Sequence, residues 1–105
     1  SAAIRARVTR AREIQAARFA DTPGIHSNAQ MTPRLLARWA RPTPEAMSIL
    51  EHAMTRFDMS ARAYDRILKV ARTIADLDAS ADILPHHITE AISYRSLDRS
   101  TWGLK

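Results

Sequence analysis

Apolar residues recur along this chain three and four apart, and no stretch alternates singly for long enough to make a convincing strand. The clearest periodicity runs from Ser60 to Asp78, where Tyr64, Ile67, Leu68, Ala71, Ile74 and Ala75 fall on one stripe. That is the pattern of a helix with one face in a core. No Gly or Pro interrupts it, and Ser60 stands where its hydroxyl can accept from an N–H group that the first turn leaves unpaired. This key helix is expected to be the most buried element of the domain.

The same reading predicts four more helices, giving an all-α, compact bundle of about five. Residues 1–20 form the first, with Ile4, Val8, Ala11, Gln15 and Phe19 along one side, Ile14 widening the stripe and Ser1 available as cap. Residues 21–31, marked by Pro23-Gly24 and Ser27-Asn28, form a loop. Thr32-Pro33 opens a short second helix with Leu35, Leu36 and Trp39 inward, and Pro42 ends it. Thr43-Pro44 repeats the start signal for a third, running to about Phe57 with Met47, Leu50, Met54 and Phe57 as its seam. The short link Phe57-Asp58-Met59 suggests that the third and key helices are packed neighbours. After the polar run from Ala79 to Asp82, a last helix starts at Pro85, turns Ile88, Ala91 and Ile92 inward and ends near Arg95. The domain is expected to occupy residues 1–99, with 100–105 a frayed tail, although Leu97 and Trp102 could dock. The expected core is Val8, Leu36, Trp39, Leu50, Met54, Phe57, Ile67, Leu68, Ala71, Ile74, Ile88 and Ile92.

A length of 105 residues suits one domain. With no Cys there is neither a disulfide framework nor a thiolate metal site, which fits a reducing, cytoplasmic setting. No apolar run approaches membrane-spanning length, so no membrane partner is expected. A basic helix that opens at residue 1 without a Met reads as a cut inside a longer polypeptide. The formal net charge is +5, and Arg outnumbers Lys fourteen to two. That balance points to nucleic acid, phosphate or an acidic partner, and the planar guanidinium fork grips phosphate or carboxylate bidentately. The first helix is the most basic segment, with Arg5, Arg7, Arg10, Arg12 and Arg18 on its flanks against Glu13; its arginines form either a solvated face or a phosphate- or partner-binding one.

Arg62 falls in the first turn of the key helix, beside the positive end of the macrodipole, where a cation is mildly unfavourable. Its presence suggests that something negative sits in front of it. Arg66 and Lys69 follow on the same face, with Asp65 placed to pair with Lys69 and Asp76 with Arg72. The cations are either a solvated face or an anion site, where an Arg, a dipole and unpaired N–H groups converge on phosphate.

Other chemistry is poorly served. Gly24 and Gly103 are the only glycines, so a phosphate-cradling P-loop cannot be built. Successive residues of a helix point about 100° apart, which sets His86 and His87 on different bearings. His87 with Glu90 supplies two ligands where a structural zinc site needs four, and no metal is expected. No pair of carboxylates is placed for acid–base work, so a self-contained enzyme is not expected. A competing arrangement is a small basic DNA-binding module, with the third and key helices as a helix-turn-helix presenting Arg62, Arg66 and Lys69. Against it stand Asp65, Asp76 and Asp78 on the same helix and the lack of an aromatic placed to stack on a base.

The stretch Ser60-Ala61-Arg62-Ala63-Tyr64, continuing through Arg66-Ile67-Leu68-Lys69-Val70-Ala71-Arg72-Thr73-Ile74-Ala75-Asp76-Leu77, closely resembles the C-terminal domain of bacterial magnesium-chelatase-like AAA+ ATPases. Ala16-Ala17-Arg18, Asn28-Ala29 and His87-Ile88-Thr89-Glu90-Ala91-Ile92-Ser93-Tyr94-Arg95 match as well, so the resemblance spans about residues 5–99. It implies the helical lid that follows the nucleotide-binding α/β domain. Arg62 matches the sensor 2 arginine, which would contact the γ-phosphate of ATP, with Arg66 as a second phosphate contact. The resemblance further implies ATP with Mg²⁺ in the full-length protein, an AAA+ nucleotide-binding domain of the same or a neighbouring subunit as partner, and a homo-hexameric ring. It also implies contact with DNA through that ring, in branch migration during natural transformation.

Overall fold

Side chains just ahead of the helices set where they begin. Ser1, Thr32, Thr43 and Ser60 each accept a first-turn N–H, from Ile4, Leu35, Ala46 and Ala63 respectively, leaving fewer orphan donors at those ends. A computed structural model describes the backbone of residues 1–103 and the side chains of residues 1–94. Its helices are α1 (Ala2–Arg18), α2 (Pro33–Trp39), α3 (Pro44–Arg56), α4 (Ala61–Leu77) and α5 (Pro85–Gly103), with a 3₁₀ turn at Asn28–Gln30 inside the first loop. No strand occurs among the described residues; one isolated bridge joins Pro42 to Ile83 and ties the α2–α3 link to the loop before α5. The fold is therefore the expected all-α bundle. The last helix passes its expected end near Arg95, since no Pro or Gly stands between His86 and Trp102 to stop it. Leu97 and Trp102 lie outside the residues whose side chains are described.

Both α3 and α4 end in a left-handed residue, Asp58 at φ 48° and Ala79 at φ 54°. The next amide then reaches back to a carbonyl of the last turn, Met59 to Met54 at 3.1 Å and Ser80 to Ala75 at 2.8 Å, which is the Schellman closure. The sharp reversal after α3 does not lay it along α4. α4 packs mainly on α5 and α1, with further contact to α2 and the 3₁₀ turn, whereas α3 packs on α5. Linker length fixes where two helices join; the apolar faces they carry decide what each lies against.

α4 is the central strut, with eight buried residues, against one in α1 and three in α3. Of the expected core, Leu36, Leu50, Ile67, Leu68, Ala71, Ile74 and Ile88 are buried, and Trp39, Met54 and Ile92 pack against them. Val8 is only half-buried. Phe57 is 45% exposed, because it sits at the C-cap of α3 and lies under the Arg56 guanidinium, 5.6 Å from its ring centre. Ile4, expected inward, is exposed in the first turn of α1. Met31 and Ile83 join the core from loops, where no periodicity could announce them.

A polar network runs through this core. The Asp76 carboxylate receives Arg18 Nη2 at 2.7 Å, Arg18 Nη1 at 2.8 Å, Asn28 Nδ2 at 2.8 Å and Arg72 Nε at 3.2 Å. Asp76 is fully buried, and the side chains of Arg18 and Arg72 are 8% and 5% exposed. Arg72 also donates to the carbonyls of Trp39, Ser80 and Ala81, so one guanidinium clamps the end of α2 and the loop before α5. Arg18 thus joins neither the solvated face nor the phosphate- or partner-binding face considered for the arginines of the first helix. Burial of Arg72 lowers its pKa, and Asp76 opposes that shift. The Asp76–Arg72 pair forms as expected; Asp65–Lys69 does not appear among the ion pairs of the described residues.

Candidate functional site

The polar network fixes the direction of α4, and with it the place of the helix start. There Ser60, in extended backbone at φ −77° and ψ 166°, accepts the Ala63 amide N–H on its hydroxyl oxygen. Tyr64 N–H closes on the Ser60 carbonyl. The amides of Ala61 and Arg62 find no acceptor among the described residues, and both residues are exposed. The Arg62 side chain has no ion-pair partner among them either. One cation, two unspent N–H groups and the positive end of a 17-residue helix therefore face outward together, which suits an anion. Arg66 is exposed one turn farther on. Lys69, a further turn away, is half-buried and lines a cleft of about 280 Å³ with Val70, Glu90 and Tyr94. The structure brings Arg62 and Arg66 to one outward face and turns Lys69 into the α4–α5 seam.

At the other end of α4 a second cluster forms. Asp78 receives Arg7 Nη2 at 3.2 Å on one oxygen; on the other it meets His87 Nε2 at 2.9 Å and His86 Nε2 at 3.4 Å. Adjacent histidines thus converge on one carboxylate. These three donor residues lie close enough to enclose a cation, but the buried His87 ring argues for another role. Its Nδ1 accepts the Leu84 amide at 2.9 Å, and an amide can only donate, so in the neutral ring the proton resides on Nε2. A metal would need that nitrogen bare. His87 instead works as a clasp, taking the part of the capping-box acid at the start of α5 while donating to the end of α4. Glu90, the partner considered for it from spacing, lies along the α4–α5 cleft.

Hydrogen bonding from His87 is the largest influence and holds the Asp78 carboxyl below the usual carboxylate range; burial opposes it, and the His86 hydrogen bond and the charges of His87 and Arg7 lower it further. A folded-state pKa that is depressed supplies stability above the unfolded value and loses it as pH falls through the folded one. Wild type is therefore expected to be more stable than Asp78→Asn at pH 6, with the gap closing below about pH 4. Melting temperatures of both proteins between pH 2.5 and 6 check this; parallel curves would exclude it. The carboxylate is 37% exposed, so the gap at pH 6 should be modest.

The helix-turn-helix arrangement needs its two helices packed on each other, whereas α3 lies mainly on α5. Spacing alone did not single out Arg18, Asn28 or the clasp role of His87. All three belong to the segments that carry the family resemblance, which is the signal that marked them.

Comparison with known proteins agrees with that resemblance. Residues 1–95 match the family model "Magnesium chelatase, subunit ChlI C-terminal". The chain is 37% identical over 99 residues to "Competence protein ComM" of Haemophilus influenzae, an alignment covering 94% of this chain and 18% of that protein. It is 38% identical over 99 residues to "Uncharacterized protein YifB" of Escherichia coli, covering 94% of this chain and 19% of that one. An uncharacterized protein of Mycobacterium tuberculosis is 37% identical over 92 residues, 88% of this chain and 18% of its own length. The chain thus spans less than a fifth of each of these relatives. With matched residues running through all of α1–α4 and half of α5, this chain belongs to the magnesium chelatase ChlI C-terminal family.

Proposed function

We propose that this domain is the helical lid of a magnesium-chelatase-like AAA+ ATPase and that Arg62 is its sensor 2 arginine. The observation that carries the reading is the outward-facing start of α4, where Arg62 lacks an ion-pair partner among the described residues and stands beside two unspent amides. ATP and Mg²⁺ belong to the nucleotide-binding domain of the longer polypeptide, because this chain has no phosphate loop. Arg62 reaches the γ-phosphate held by the same or a neighbouring subunit, and Arg66 contacts the phosphates more weakly from one turn away. The buried Asp76 network makes the lid a rigid body, so a pull on Arg62 moves all of α4 and whatever packs on it. The full-length protein works as a cytoplasmic homo-hexameric ring on DNA, in branch migration during natural transformation; the name of the Haemophilus relative, a competence protein, favours that setting.

A guanidinium on the γ-phosphate helps most as charge shifts during phosphoryl transfer, so its loss should slow turnover more than it weakens nucleotide binding. Arg62→Ala in the full-length ATPase is expected to lower steady-state turnover on the order of 10–100-fold, less than a full arginine finger supplies. Lys at this position should rescue poorly, because the bidentate fork is lost. Arg66→Ala and Lys69→Ala should be milder. Wild-type turnover in Arg62→Ala would end the assignment, and a larger defect in Arg66→Ala would move it one turn along α4.

A further inference from the structure

A cleft of about 550 Å³ lies where α1, the first loop and the second half of α4 meet. Val8 and Leu77 give it apolar walls, and Arg12, Gln15, His26 and Ser27 supply its polar edge. No carboxylate is among its lining residues. Arg12 and His26 are exposed, and neither side chain forms an ion pair or a hydrogen bond with another described residue. Gln15 Oε1 accepts the Asn28 amide at 3.1 Å, which holds the carboxamide in place and leaves its Nε2 donor without an acceptor among the described residues. The Ser27 hydroxyl donates to none of them either. Arg5, seven residues before Arg12 and so on nearly the same bearing of α1, is exposed as well. Asp78, just past the end of α4, is already engaged by Arg7 and two histidines.

A guanidinium, an imidazole and a hydroxyl lining one cleft, with no competing anion, suit a tetrahedral oxyanion. Phosphate alone would leave the apolar walls wet. The volume falls in the range of about 300–1,000 Å³ usual for small-molecule sites, which are apolar pockets with a few placed polar groups. We infer that the cleft binds a nucleoside monophosphate: Arg12, His26 and Ser27 take the phosphate oxygens, Val8 and Leu77 cover the base, and Gln15 Nε2 donates to a base ring nitrogen. A sugar phosphate would need hydroxyl partners on the walls, where the one hydroxyl, on Thr73, is already spent between Asn28 Nδ2 and the Lys69 carbonyl. Thr73 is eleven positions from Arg62, about 16 Å along the helix axis. The site is therefore separate from the anion contact at the head of α4 and does not rest on the lid reading. A ligand here ties α1 and the first loop to α4 beside the Arg18–Asn28–Asp76 network, and so stabilises the folded domain.

Amide NMR spectra of the isotope-labelled 105-residue chain, which has no phosphate loop to compete, test this with AMP as the probe. The expected result is saturable movement of the Arg12, Gln15 and Ser27 amides and a melting temperature that rises with AMP. Inorganic phosphate should need about tenfold higher concentration for the same movement, since it forgoes the apolar contacts, and adenosine should cause little. Arg12→Gln, at an exposed position that the core does not use, should weaken AMP roughly 10–100-fold, the scale of a hydrogen bond between charged groups. Arg12→Lys should lose less, and Arg62→Ala should leave the affinity read at these amides unchanged. Absence of saturable movement, movement centred on Ala61 and Arg62 instead, or equal affinity in Arg12→Gln would overturn the inference. Inorganic phosphate acting at the same concentration as AMP would mean an adventitious ion only. A single-stranded oligonucleotide without a terminal phosphate that displaces AMP at equal nucleotide concentration would assign the cleft to a phosphodiester backbone, and either of these results ends the proposal.

Discussion

Replacing Asp76 by Ala is expected to lower the unfolding free energy by about 3–5 kcal/mol, the usual cost of removing one partner from a buried ion pair. Asp76 is the only anion in the network, and it holds two guanidiniums and an amide that come from α1, the first loop and its own helix. Without it Arg18 and Arg72 remain buried with no paired carboxylate, Asp82 acting on Arg72 only as the weakest of its electrostatic influences, and each must rehydrate or repel the other. The loss would consume much of the 5–15 kcal/mol typical of a domain, so the variant should melt far below wild type or fail to fold. Arg18→Ala should cost less, because Arg72 still satisfies one carboxylate oxygen and keeps its three backbone acceptors. Urea midpoints of the two variants test this, and an Asp76→Ala midpoint close to wild type would show that the network contributes little to stability. A double variant, Arg18→Ala with Asp76→Ala, should be less destabilised than the sum of the two changes, since the stranded charge is partly removed.

Leu50→Ala is expected to cost about 3–5 kcal/mol, the upper part of the range for buried leucines, and Leu68→Ala about 2–3 kcal/mol. The two leucines look alike in periodicity, each on the inward stripe of its helix. Leu50 has no exposed surface, so truncation leaves an enclosed void that cannot fill with water. Leu68 is 5% exposed and forms part of the wall of an open groove. Space lost there merges with an existing opening, and Met47 and Tyr64 can relax into it. Urea denaturation of both variants reads the difference directly. The reverse order would mean that the groove is filled or closed in solution. Met at either position should be tolerated to within about 1.5 kcal/mol, because volume is nearly kept.

Much of the architecture could be read from local chemistry. Serine or threonine ahead of a helix, proline in the first turn and apolar residues every third or fourth place each act within a few residues, so α1 to α4 begin at the signals that specify them. The start of α5 at Pro85 and the stripe through Ile67, Leu68, Ala71 and Ile74 were legible for the same reason, and so was the exposed cation at the head of α4. Beyond Arg95 apolar periodicity is weak and predicts a helix end, but α5 continues to Gly103 because neither Pro nor Gly intervenes to stop it.

Local chemistry settles where the helices start, how they are capped, the inward stripe of α4 and its outward start at Arg62, because hydrogen bonding and side-chain bearing along a helix depend on near neighbours. Only the tertiary structure decided that α3 lies on α5, that Arg18 leaves the basic flank of α1 for Asp76, and that two adjacent histidines meet on Asp78. Arg18 and Asp76 are 58 residues apart, and Arg7 and Asp78 are 71 apart. Partners so distant are chosen by which faces bury together, and a buried charge is tolerated only where that choice brings its counter-charge within reach.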